Sequence, residues 1–167
     1  MTLIVCPLHE VAAALKIWRP SHVISLGSPG AEQAVIPADF ERLALIFHDI
    51  AAPRPGLQAA SADDVARLIA FSRQWRRDQP LLIQCWAGVS RSPAAAYVVA
   101  CALSAPGQEG RLADKLRAAA PFATPNPRLV ALADDLLSRN GAMVDAIARI
   151  GRGAETSLGS TFPLALA

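Results

Sequence analysis

Aromatic side chains are scarce, making up 5% of the 167 residues, and Tyr97 is the one tyrosine. The apolar 53% of the chain is therefore mostly aliphatic and alanine, which at this length suffices for the core of a single globular domain. Cysteine is scarce too. Cys6, Cys85 and Cys101 form an odd, widely spaced set with no Cys-x-x-Cys pair, which argues against a disulfide framework or a zinc site and fits free thiols in a reducing compartment. No apolar run approaches the roughly twenty residues of a membrane span. Leu3 to Val5, with no basic stretch before it, is far too short for the core of a signal peptide. These absences point to a cytoplasmic protein without membrane contact. Charge of one sign is also lacking. A net +2 with no interleaving of basic and aromatic residues gives no footing for nucleic acid. The chain has no internal repeat.

What the chain does have is strands alternating with helices. Leu3 to Val5 predicts a first strand, followed by a helix from Pro7 to Trp18 that stops before Pro20. His22 to Leu26 predicts a second strand, ended by the turn residues Gly27-Ser28-Pro29-Gly30, and Arg42 to Phe47 a third. A proline-stiffened loop from Ala51 to Gly56 leads to Ser61, which with Asp64 spells a capping box for a helix reaching Arg77. Leu81 to Ile83 predicts a fourth strand. The helix from Pro93 to Ser104 is apolar nearly all round, so it belongs in the interior. Further helices are expected at Arg111 to Ala119, at Pro127 to Arg139 behind the cap Asn126, and at Ala142 to Ile150. The alternation predicts an α/β fold: a mostly parallel central sheet of four to five strands with helices on both faces. Residues 1–150 are read as one domain, and 151–167, rich in Gly, Ser and Thr, as a flexible tail.

The chain is organised around Gln84-Cys85-Trp86-Ala87-Gly88-Val89-Ser90-Arg91-Ser92, a tight loop between the fourth strand and the buried helix. In an α/β sheet, chemistry sits at the carboxyl ends of the strands. A short loop closing onto a helix N-terminus aims several backbone N–H groups at one spot, and the helix dipole adds positive potential there. An oxyanion fits such a nest. Gly88 allows the sharp turn, and the field favours the thiolate of Cys85 as a nucleophile. Arg91 offers a planar fork able to grip two phosphate oxygens at once. The parts describe attack on phosphorus, with Trp86, Ala87, Gly88, Val89, Ser90 and Arg91 as the phosphate-binding set.

Cys85, five intervening residues, then Arg91 and Ser92 resemble the signature loop of the cysteine-dependent protein tyrosine phosphatases, and Ala87-Gly88-Val89-Ser90-Arg91-Ser92 is most similar to their dual-specificity branch, of bacterial type. Arg117 with the later Pro125-Asn126 extends the resemblance to roughly residues 43–137. One position departs: the family usually has His where this chain has Gln84, a side chain that can still donate and accept hydrogen bonds and so brace the loop. The resemblance implies the protein tyrosine phosphatase-like fold and a two-step hydrolysis. Cys85 would attack phosphorus while Arg91 and the loop amides hold the oxygens, an upstream aspartic acid would protonate the leaving oxygen, and Ser92 would stabilise the thiolate on its release. No metal or other cofactor is required. Asp49 is the choice for the acid, since it ends a strand and precedes a mobile loop. Asp63 and Asp64 already serve a helix N-terminus, Asp39 lies at the other end of its strand, and His48 is better read as structural.

Each residue has a plainer reading as well. Cys85 and Arg91 could be a strand-end cysteine and a salt-bridged helix-start arginine, Trp86 could pack behind the loop, Cys6, Cys101 and Tyr97 belong to the core, and Arg54 could be a solvated loop charge. The loop carries no lysine and no arginine besides Arg91, which disfavours highly charged inositol phosphates and favours a singly phosphorylated protein or small phosphomonoester, phosphotyrosine with phosphoserine or phosphothreonine left open. Two other functions stay open. One is a phosphate-binding pseudophosphatase. The other is sulfur transfer or arsenate reduction, for which Cys6 and Cys101 lack the spacing of resolving thiols.

Overall fold

The computed structural model describes residues 1–166. Five strands form one sheet: β1 (Thr2–Pro7), β2 (His22–Gly27), β3 (Glu41–Ile46), β4 (Leu81–Cys85) and β5 (Phe162–Ala165), in the order β3-β2-β4-β1-β5. The first four are parallel, and β5 runs antiparallel along β1. Among the described residues six α-helices complete the fold: α1 (Val11–Trp18), α2 (Ala62–Gln74), α3 (Arg91–Ala102), α4 (Glu109–Ala119), α5 (Pro127–Leu136) and α6 (Ala142–Ile150). Among the described residues no helix is long and apolar enough to cross a membrane.

Both faces of the sheet are covered, unequally. Side chains alternate along each strand. Ile4, Cys6, Val23 and Leu82 meet Val11, Ala14 and Leu15 of α1 on one face. Leu3, Val5, Ile24, Leu26, Leu81 and Ile83 point to the other, where the remaining five helices build the main core. Helix α3 lies at the centre of that core with every residue from Arg91 to Cys101 buried, as its lack of a polar stripe predicts. Leu45 and Phe47 of the third strand region enter the same core and Leu43 packs at its edge.

Local signals hold at the helix starts. Ser61 Oγ accepts from Asp64 N–H at 3.1 Å while Asp64 accepts from Ser61 N–H at 2.9 Å, the reciprocal pair of a capping box. Asn126 Oδ1 accepts from the N–H groups of Arg128 and Leu129, with Pro127 in the first turn. Helix α2 ends at Gln74, short of the expected Arg77, which takes a positive φ.

Two expectations are corrected. Pro7 ends β1, opposite Cys85, rather than opening a helix; a 3-10 turn, Leu8–Glu10, intervenes before α1. The segment from 151 onward is no flexible tail over its whole length. Phe162, Leu164 and Leu166 alternate into the core, and residues 162–165 pair with β1. Pro163, without an N–H, is tolerated because β5 is an edge strand.

Candidate functional site

The parallel strands deliver their carboxyl ends to one rim, and three connections meet there: the turn after β2, the loop after β3, and the loop from β4 to α3. The last of these is 85–91. Its first brace is Pro7, whose backbone leaves no room beside Gly88. That residue has φ 71°, and a Cβ on it would stand 2.9 Å from the Pro7 nitrogen, so conformation and contact both demand glycine.

The loop's carbonyls are engaged from outside. Trp86 O accepts from Leu8 N–H (3.2 Å), Ala87 O from Gly159 N–H (2.8 Å), and Val89 O from Thr124 N–H (2.8 Å). With the carbonyls held outward, the amides turn the other way. Gly88 N–H donates to Cys85 Sγ at 3.3 Å, and among the described residues the N–H groups of Ala87, Val89 and Ser90 have no backbone acceptor. Cys85 Sγ also stands 3.1 Å from Ser92 Oγ. A concave set of amides at a helix N-terminus around a sulfur is suited to hold a tetrahedral oxyanion against a nucleophile.

Arg91 is 4% exposed. Its Nη1 donates to Phe47 O at 2.9 Å and to Ser28 Oγ at 3.0 Å, which fixes the guanidinium plane. Its Nε is buried with no hydrogen-bond partner among the described residues and lies 4.0 Å from Asp49 Oδ2. A buried N–H without an acceptor is costly unless a ligand supplies one. Asp49 Oδ1 accepts from Ser90 Oγ (2.8 Å) and from Asn126 Nδ2 (2.7 Å). The carboxyl group is thereby tethered to the loop and to the start of α5 at once. Cys85, Arg91, Asp49, Trp86, Ala87, Val89, Ser90 and Gln84 all line one cleft of about 510 Å³. Gly88 and Ser92 stand behind it, against the sulfur.

The competing acids fall away from this cleft. His48 Nδ1 accepts from Gln58 N–H at 2.9 Å and closes the base of the loop. Asp64 is committed to the cap, and neither Asp63, Asp39 nor Arg54 lines the cleft. Cys6 and Cys101 are core thiols, and burial pushes each up to about 12. Tyr97 donates to Glu109 O from the interior, and burial raises its phenol above the ordinary value. Among the described residues no group of three or more His, Cys, Asp or Glu could hold a metal ion.

Two sequence expectations change here. Gln84, buried in β4, lines the cleft, but the side-chain hydrogen bonds of the 85–91 loop to other residues run to Ser92, Asp49, Ser28 and Phe47 O and none to Gln84. Bracing comes from the backbone contacts instead. Trp86 does not pack behind the loop: it is 59% exposed.

Several contributors went unforeseen. Ser28 orients Arg91 from a segment readable only as a turn. Asn126, legible as a cap, also holds Asp49, because its amide has a donor left after Oδ1 caps α5. A strap of residues 151–161 lies along the site, with Gly159 on Ala87 and with Thr156 and Ser157 lining the cleft. Arg117 anchors it, donating to Pro121 O, Ala123 O and Gly151 O. Gly153 and Gly159, which read in the sequence only as flexibility, are required there because a Cβ on either would meet Phe122 at 2.4 Å and 2.6 Å.

No protein-family model matches the sequence, and no curated protein does. Among solved structures the chain is similar to the crystal structure of DUSP15, with a TM-score of 0.59 at 19% identity over 89% of this chain and 92% of that one. It also matches OH1 from the Orf virus, described as a tyrosine phosphatase with triple substrate specificity, at a TM-score of 0.43 and 17% identity over 87% of this chain and 77% of the other. The mostly parallel five-stranded sheet, the six helices around it and the likeness to DUSP15 together assign the chain a dual-specificity phosphatase-like fold.

Proposed function

We propose that the protein is a cysteine-dependent phosphatase that hydrolyses phosphate monoesters on singly phosphorylated proteins, phosphotyrosine above all with phosphoserine and phosphothreonine admitted, or on small phosphomonoesters. One observation carries this: a cysteine sulfur that accepts the Gly88 amide, in a loop whose carbonyls are held outward, beside an arginine whose Nη1 is pinned while its buried Nε has no acceptor among the described residues. A bound phosphoryl oxygen would supply that acceptor.

In the first step Cys85 Sγ bonds to phosphorus as the ester P–O bond breaks, and the proton of Asp49 passes to the leaving oxygen. The loop amides and Arg91 hold the equatorial oxygens throughout. In the second step a water oxygen bonds to phosphorus, its proton returns to Asp49, and the S–P bond breaks with Ser92 Oγ donating to the released thiolate. Nothing in these steps calls for a metal or cofactor. The free core thiols and the modest charge fit a cytoplasmic enzyme that binds neither nucleic acid nor membrane.

Gln84 favours a second reading, since it gives the loop no side-chain hydrogen bond. On that reading the cleft binds phosphorylated groups without turning them over. Phosphate release from para-nitrophenyl phosphate by wild type, Cys85→Ser and Asp49→Asn separates the two. Hydrolysis requires turnover that vanishes in Cys85→Ser with the fold retained and drops by about 10²–10⁴-fold in Asp49→Asn. A folded wild type that binds vanadate yet releases no phosphate would establish the binding module.

A further inference from the structure

We infer that the cleft continues into an apolar subsite that receives an uncharged apolar side chain flanking the phosphorylated residue of a peptide substrate. This rests on the phosphomonoester reading of the cleft and narrows its substrate class to a phosphopeptide with an apolar neighbour.

The subsite is a groove of about 430 Å³ assembled from four separate parts of the chain. Leu8 and Val11 come from the β1–α1 junction, Val35 from the connection between β2 and β3, Trp86 from the cysteine loop, and Leu158 from the strap. It is continuous with the catalytic cleft, because Leu8, Glu32, Gln33 and Trp86 line both. Three of its large apolar side chains are open to solvent: Val35 is 90% exposed, Trp86 59% and Leu158 44%. Apolar groups gathered at the mouth of a polar cleft signal a binding surface rather than scattered exposure.

Charge selects the occupant. The groove is lined by Glu32 and His9 but by no lysine or arginine. An acidic flanking residue, or the head groups of an anionic bilayer, would meet Glu32 without a compensating cation. A small phosphomonoester would fill the cleft and leave the groove wet. A peptide rises at most about 3.3–3.6 Å per residue, so the side chain next to a phosphorylated residue is the part of a substrate that arrives at the neighbouring groove. Trp86 marks the boundary between the two, with its ring available to both.

The test uses phosphotyrosine peptides identical except at the positions before and after the phosphotyrosine, which carry Leu, Ser or Glu in turn. Wild type is compared with Val35→Ser/Leu158→Ser, since neither side chain lines the catalytic cleft. Covering one apolar side chain in an open groove predicts kcat/KM about three- to tenfold higher for Leu than for Ser at one of the two positions, with Glu lowest. The double variant should bring the Leu-to-Ser ratio to near one and leave para-nitrophenyl phosphate turnover unchanged. A wild type that hydrolyses all the peptides with no preference at either position overturns the subsite while the phosphatase stands.

Where the wild type hydrolyses none of the peptides, its turnover of para-nitrophenyl phosphate decides the phosphatase reading. Calorimetric binding of the same peptides to it then decides the groove alone: a Leu preference supports the subsite and its absence overturns it. Co-sedimentation of wild type with phosphatidylserine-containing vesicles, lost in the double variant, would assign the groove to a membrane surface and overturn the peptide.

Discussion

At the residue scale, the environments of the three cysteines differ as the loop around Cys85 predicts. Cys6 and Cys101 face the core, where burial pushes their thiols up to about 12 and leaves them neutral at physiological pH. Cys85 lines the open cleft and receives the Gly88 amide. Since the thiolate is the reactive species, iodoacetamide at pH 7 is expected to alkylate the folded protein at Cys85 alone. Peptide mapping by mass spectrometry checks this, and modification of Cys6 or Cys101 at a comparable rate would contradict it. Arg91 shows how a single side chain divides its donors: one nitrogen fixes the plane through Phe47 and Ser28, and Nε stays open.

At the scale of elements, α5 is tied to the candidate acid through one residue. Asn126 Oδ1 caps the helix while Nδ2 donates to Asp49. Replacement by Ala removes both functions and is expected to cost about 0.5–2 kcal/mol of stability along with a fall in kcat. Asn126→Asp keeps a capping oxygen but deletes the donor and sets a second carboxylate beside Asp49. Its melting temperature should stay near wild type while kcat falls, a split that a purely structural role for Asn126 would not produce. The cap was legible in Asn126-Pro127, because capping is decided within a few residues. The link to Asp49 was not, because it joins positions far apart in the chain.

For the whole molecule, the strap and β5 bind the C-terminal segment to both the sheet and the site. Leu164 is buried against the main core, so Leu164→Ala should lower unfolding free energy by about 2–5 kcal/mol in denaturant titration; a mobile tail would show no loss. The junction of strap and β5 is also held by Glu10, whose carboxylate accepts from both the hydroxyl and the N–H of Thr161. The Thr161 hydroxyl, chiefly, holds the Glu10 carboxyl below its ordinary value of about 4.5. A depressed carboxyl contributes stability that is fully present above the ordinary value and is lost as pH falls through the folded-state value. Protection of the Thr161 amide against hydrogen exchange should therefore weaken relative to the β1 core on acidification below about 4.5. Glu10→Gln should remove that pH dependence.

By itself the sequence determined the α/β class, the places of the four parallel strands, the caps of α2 and α5, and the loop from Cys85 to Ser92. Each of these rests on local information: hydrophobic period, capping residues a few positions apart, or a motif contained in one turn. Tertiary structure alone decided that Phe162 to Ala165 is a strand, although Phe162, Leu164 and Leu166 already alternate, because a period of two over so short a span becomes a strand only where an open edge such as β1 receives it. It likewise decided that Ser28, Asn126 and Gly159 converge on the 85–91 loop. Hydrogen bonds between segments so distant in the chain depend on how the layers pack, and that packing is a property of the whole core.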